Sequence, residues 1–337
     1  MNAFWAGLTA LSLAACSTAT GKAVAQSEGS YEDRFSDRVT VETSDIDRFW
    51  TTYDRVAALT DRADRIRILQ DDYIDGGTRG VRLLMAARNY TAGEFIDAFD
   101  AWPAFWTSIR PATARAEQAS ATLNEDLERL TALYPPLKMP AVTYAIGLLR
   151  TGGTIVDDHV LIGAEVALAG RDVDLSEMPT EMQARLGPFF ATEPWRNNAQ
   201  NNVHEIVHTA QEAPADTVAA RVLYEGAADF VAEKVTGRTA PIDAYKIGPG
   251  QLDRLRTAFR RDLDSGNLNP WLYNGPDNEF GVADIGYFVG YRVASRLFAA
   301  APDERSGIAD LIELDYGDHD AVVAAIKRSA FLEEGRP

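Results

Sequence analysis

The sequence predicts an α+β protein that is mainly α-helical, with a small antiparallel sheet next to the helix that carries residues 204–208. Three observations carry this. Apolar residues recur at helical spacing from Ser44 to Leu133, strand-like runs replace that spacing between Pro140 and Leu168, and helical spacing returns from about Asn198. With 337 residues and 46% apolar composition the chain can bury a large core, as one big domain or two sub-domains.

The first residues stand apart from the fold. From Ala3 to Ala15 the chain is apolar and small, the length of a signal-peptide h-region and too short for a membrane span. Leu13-Ala14-Ala15-Cys16 resembles the bacterial lipobox, although Met1-Asn2-Ala3-Phe4 carries no Lys or Arg. That resemblance implies cleavage before Cys16 and a lipid on its thiol; a plain secretory signal with an incidental Cys is the alternative. Ser17 after it resembles lipoproteins sorted to the outer membrane. The expected location is therefore the bacterial cell envelope, lipid-anchored on the periplasmic side of the outer membrane. Cys16 is the only cysteine, so no intramolecular disulfide can form. Residues 16–37 are rich in Ser, Thr, Ala, Gly and charge without apolar period, and read as a flexible tether.

Residues 38–136 read as a helical N-terminal sub-domain. Ser44 or Asp45 can cap a helix carrying Phe49, Trp50, Tyr53 and Val56, and Ile66, Leu69, Tyr73 and Ile74 continue the period. Asp75-Gly76-Gly77-Thr78-Arg79-Gly80 is a turn; it lacks the spacing and the preceding strand of a phosphate loop. Thr91–Trp106 and Ala112–Leu133 add helices in which Trp102, Phe105 and Trp106 read as core, and Pro135-Pro136 marks the boundary.

Residues 137–337 form the second expected domain, beginning with strands at Val142–Leu149, Ile155-Val156 and His159–Leu168. Their exposed edge could take an extended peptide by strand addition. His159 reads as a structural, hydrogen-bonded histidine.

The chemistry is concentrated in His204-Glu205-Ile206-Val207-His208, an H-E-x-x-H motif. Residues four apart share one face of a helix, so both imidazoles can aim at one ion while Glu205 lies beside it. A hydrolytic zinc wants three protein ligands and an open position for water, whose proton Glu205 would take as general base. Asn197 or Asn198 can cap this helix, and Asp216 or Thr217 caps the next, which Gly237 ends. That next helix carries Tyr224-Glu225-Gly226-Ala227-Ala228-Asp229 after a short connection. Glu225 is the third ligand by this placement, and Asp229, one turn on, can accept the far N–H of a ligating imidazole. The small residues would let the two helices approach closely. The later His319 is too far downstream to be preferred as a ligand.

H-E-x-x-H followed by E-x-x-x-D resembles the gluzincin, thermolysin-like zinc metallopeptidases, with His204, His208 and Glu225 matching the ligands, Glu205 the base and Asp229 the outer Asp. The wider chain also resembles predicted Zn-dependent proteases related to gliding-motility lipoproteins, through Tyr73–Thr78, His159–Gly163 and Tyr224–Gly226. The resemblance implies a zincin-like fold and a Zn2+ cofactor. Gluzincins also need a donor to the oxyanion, from which Tyr287 and Tyr291 follow as candidates on a later helix, with Arg292 as a possible holder of a substrate carboxylate. Residues 306–337 read as one or two capping helices around the acidic 315–320 loop.

The expected function is envelope-tethered hydrolysis of peptide bonds, with a peptide or protein as substrate. The alternative is a non-catalytic envelope lipoprotein keeping the fold for binding or assembly, and a non-peptide amide would require the same site chemistry. Fifty acidic against 33 basic residues, a net charge of −17, argue against a nucleic-acid partner.

Overall fold

A computed structural model describes residues 41–333. The expected signal peptide, Cys16 and the tether lie outside the described residues. No helix among the described residues is long and apolar enough to cross a membrane. The protein is mainly helical with a small four-stranded sheet, as the α+β expectation requires.

The described residues divide into two compact units, 41–120 with 139–191, and 121–138 with 192–333. This differs from the sequence-based partition at Pro135-Pro136. The reason lies in what the flanking residues bond. Arg129 Nε donates to the Val235 carbonyl at 3.0 Å and the Tyr134 hydroxyl to Glu313 at 3.0 Å, so the segment before the prolines belongs with the C-terminal helices. The strands after them pair instead with Val41 and Glu42.

In the first unit, strand β1 (Val41–Glu42) leads into α1 (Ser44–Ala57), α2 (Arg62–Leu69), a π-helical turn (Gln70–Asp75), α3 (Arg79–Arg88), α4 (Ala92–Ala101) and α5 (Pro103–Thr113). α6 (Ala116–Leu133) contains the division between units. Asp45 does not cap α1. Its buried carboxylate instead accepts from the Thr78 amide at 3.1 Å and hydroxyl at 2.6 Å, fixing the glycine-rich turn as a structural one. The α1 aromatics meet those of α4 and α5: Phe49 lies 5.8 Å from Phe99 and 5.6 Å from Trp106, ring centre to ring centre. Trp102, Phe105 and Trp106 are all buried, as expected of core rings.

β2 (Ala141–Ala145), β3 (Thr154–Val156) and β4 (His159–Gly163) complete a sheet of order β1-β2-β4-β3. The expected antiparallel sheet is corrected to a mixed one, since β1–β2 and β2–β4 are parallel and only β3–β4 is antiparallel. Strand periodicity reports which residues alternate faces, whereas direction follows from connections, and here helices and a hairpin supply the crossovers. The expected strands are also shorter. β2 stops at Ala145 because the Gly147 and Leu149 amides donate to the Glu165 carboxylate, at 3.0 and 2.9 Å, and not to a sheet neighbour. Glu165 lies in α7 (Ala164–Ala167), where strand had been expected to continue. His159 is structural, its Nε2 2.7 Å from the Thr143 hydroxyl across the β2–β4 pair. α8 (Thr180–Ala191) closes this unit.

The second unit holds α9 (Asn198–His208), α10 (Val218–Thr236), α11 (Ala244–Ile247), α12 (Leu252–Asp262), α13 (Ile285–Ala300), α14 (Glu304–Ile312) and α15 (His319–Arg328). The sheet thus belongs to one unit and α9 to the other. α10 is the central rod, buried along most of its length. Thr217 caps it by accepting from the Ala220 amide, and Gly237, at φ 69°, ends it. α9 begins without side-chain capping, and Asn198 instead accepts from Asn202 at 2.9 Å.

Candidate metal centre

Among the described residues, His204, His208 and Glu225 form the group whose ligand atoms all lie within 4.8 Å of one another, and all three are buried. The Nε2 atoms of the histidines stand 3.0 Å apart, and each is 3.3 Å from Glu225 Oε2. Four-residue spacing on α9 puts both rings on one face, and α10 brings Glu225 to it.

The hydrogen bonds behind the rings decide what faces inward. His204 Nδ1 lies 2.8 Å from Asp229 Oδ1 and His208 Nδ1 2.7 Å from Gln211 Oε1, both acceptors, so each Nδ1 carries a proton and each Nε2 is turned toward Glu225. Glu225 Oε2 has no hydrogen-bond partner among the described residues. With both rings neutral, three acceptors converge with no donor between them, an arrangement that calls for a cation. The size also fits: ligands at about 2.0–2.1 Å from a tetrahedral ion stand about 3.3 Å apart. A proton on Nε2 would supply similar charge, and the His204 pKa is held well above its ordinary value. Burial pulls it down, but Asp229 and Glu225 outweigh that.

Asp229 is itself held at both oxygens. Oδ1 also accepts from Gln200 at 3.2 Å, and Oδ2 accepts from the Tyr245 hydroxyl at 2.6 Å. His208 has a different support, with the Tyr224 ring stacked on it at 4.1 Å and 8°. Glu225 Oε1 accepts from the Tyr273 hydroxyl at 2.5 Å. Glu205, beside His204, is buried, and burial raises its carboxyl pKa despite the neighbouring imidazoles.

The two tyrosines expected as oxyanion donors separate. The Tyr287 ring lies 6.2 Å from that of His204, and its hydroxyl is buried with no partner among the described residues. One turn further along α13, the Tyr291 hydroxyl donates to Glu233 at 2.7 Å and so joins α13 to α10. Gly226 packs against a different helix from the one expected. A side-chain carbon on Gly226 would collide with the Gly290 and Tyr291 backbone, so Gly226 admits α13 to contact with α10, not α9. His319 bonds Thr217 and Asp264 and is no ligand of this group.

Five residues that hold the centre, Gln200, Gln211, Tyr224, Tyr245 and Tyr273, do not follow from the motif spacing. Gln211 and Tyr224 had a signal, the one three residues after His208 and the other adjoining Glu225. Tyr245 and Tyr273 reach in from outside the motif helices, and no spacing announces them. No family model, curated protein or solved structure matches the chain.

Proposed function

We propose that this protein is a zinc-dependent metallopeptidase of gluzincin type with a zincin-like fold, tethered in the bacterial envelope by a lipid on Cys16. The observation that carries the reading is the convergence of His204 Nε2, His208 Nε2 and Glu225 Oε2 beside the buried carboxylate of Glu205. Two histidines and one carboxylate are a donor set suited to catalytic zinc, with His204 Nε2, His208 Nε2 and Glu225 Oε2 as ligands. When bound, the ion would supply Lewis acidity, polarising the scissile carbonyl and making a water acidic near neutral pH.

The chain's own groups do the rest. Glu205, its pKa raised by burial toward the working range of a general base, takes a proton from the attacking water and returns it to the leaving amine. Tyr287 has a free hydroxyl to donate to the oxyanion that develops on the carbonyl. Asp229 and Gln211 keep the imidazoles turned with Nε2 inward.

The test joins metal analysis of residues 38–337 to digestion of a peptide library. One equivalent of zinc is expected, with cleavage falling about 10²–10⁴-fold in Glu205→Gln at unchanged zinc content. A metal-free protein, or undiminished cleavage in the variant, would overturn the reading.

A further inference from the structure

Glu225 uses its two oxygens differently. Oε2 faces both histidines and Oε1 is taken by the Tyr273 hydroxyl. A carboxylate free at both oxygens can bind an ion through both, which would fill a further coordination position; one already bonded through Oε1 presents a single oxygen.

Tyr273 is itself held unusually firmly for a residue outside regular structure. Its backbone is left-handed at φ 57°, as is that of Asp284 at φ 56°, a conformation disfavoured for residues with a side chain unless surroundings enforce it. A reciprocal pair closes the loop between them. The Asn274 amide donates to Asp284 Oδ1 at 3.2 Å and the Asp284 amide to Asn274 Oδ1 at 2.8 Å. The Gly286 amide, donating to the Trp271 carbonyl at 2.8 Å, extends the closure. Asp284 is also the residue from which α13 and Tyr287 begin.

Resting on the metal-centre reading above, we propose that Tyr273 is a positioning residue that holds Glu225 to one-oxygen coordination and so keeps open the position a substrate or water needs. The Asn274–Asp284 clasp sets where its hydroxyl points. Tyr273→Phe removes the hydroxyl and keeps the ring.

The experiment replaces zinc by Co2+ and reads the visible spectrum, whose intensity falls as coordination rises from four to five. Wild type is expected to give the intense four-coordinate spectrum. Tyr273→Phe is expected to bind one equivalent of Co2+ with a weaker five-coordinate spectrum, and to bind zinc within about tenfold of wild type. A merely structural role would shift the melting temperature without altering the spectrum. A variant spectrum superimposable on wild type overturns the inference while leaving the metal centre intact. Wild type that takes up no Co2+ overturns both. A spectral change in a protein that cleaves no peptide supports the inference and counts against the peptidase alone. Should Tyr273→Phe fail to melt cooperatively, Asn274→Ala decides in its place, with the same change expected to be smaller.

Discussion

Two glutamates in this protein are equally buried and oppositely disposed. Glu165, in the first unit, and Glu225, in the second, each have no exposed surface. Burial drives the Glu165 carboxyl up to about 7, and its acceptance of the Gly147 and Leu149 amides only moderates that. Burial acts on Glu225 in the same direction, yet His204 and His208 overcome it and hold the carboxyl well below the usual range. Backbone amides satisfy hydrogen-bonding capacity without adding net charge, whereas imidazoles that take up a proton beside a carboxylate favour its ionised form. Desolvation therefore says little about whether a buried acid is a structural group or a ligand. The charge its neighbours can carry decides it.

The largest contrast is expected in metal binding. Glu225→Gln should abolish stoichiometric zinc uptake, while Glu165→Gln should leave it unchanged, in competition with a chromophoric chelator. Equal loss in both would remove the distinction between the two acids.

Folding stability should separate them next. Glu165 has a pKa raised in the folded state, so its contribution is fully present below about 4.5 and is lost as pH rises through about 7. Urea unfolding should show stability falling by up to ~3 kcal/mol over that window. In Glu165→Gln, neutral at every pH, the decline should flatten. An unchanged slope would mean that Glu165 is ionised in the folded protein.

The smallest effect probes the same principle one atom further from the ion. His204 is backed by a carboxylate held by Gln200 and Tyr245, and His208 by a neutral amide and a stacked ring. Asp229→Asn should weaken zinc binding by about 10–100-fold, and Gln211→Ala by less, at the low end of that range. Titration calorimetry that ranks them the other way would show that orientation, and not charge, is what the support supplies.

How much of this was legible in the sequence depended on locality. His204, Glu205 and His208 lie within one helical turn, and Glu225 and Asp229 within another, so spacing alone puts them on shared faces. Spacing could not separate Tyr287 from Tyr291. They share a face of α13, but a further turn carries the second to Glu233. Tyr273, on an irregular segment, and Tyr245, on the short α11, depend on where the chain returns, which is a property of the packed unit. Likewise, the alternation around Val142 and Val160 announced strands but not their parallel pairing, since direction lies in the connections. The unit boundary was misplaced because proline reports where a helix must stop, and not which neighbours the next strand will find.

The contact of Gly226 with Gly290 has a consequence for how the centre tolerates change. Glu225 adjoins the first glycine and Tyr287 stands three residues before the second, so the span between carboxylate and phenol is gauged by main chain against main chain. Flexible side chains can relax around an error; two backbones in contact have no slack. A single methyl at either glycine would act as a wedge, parting α10 from α13 without replacing His204, His208 or Glu225. The width of the centre is thus recorded in two positions with no side chain, where an inventory of reactive residues would never look.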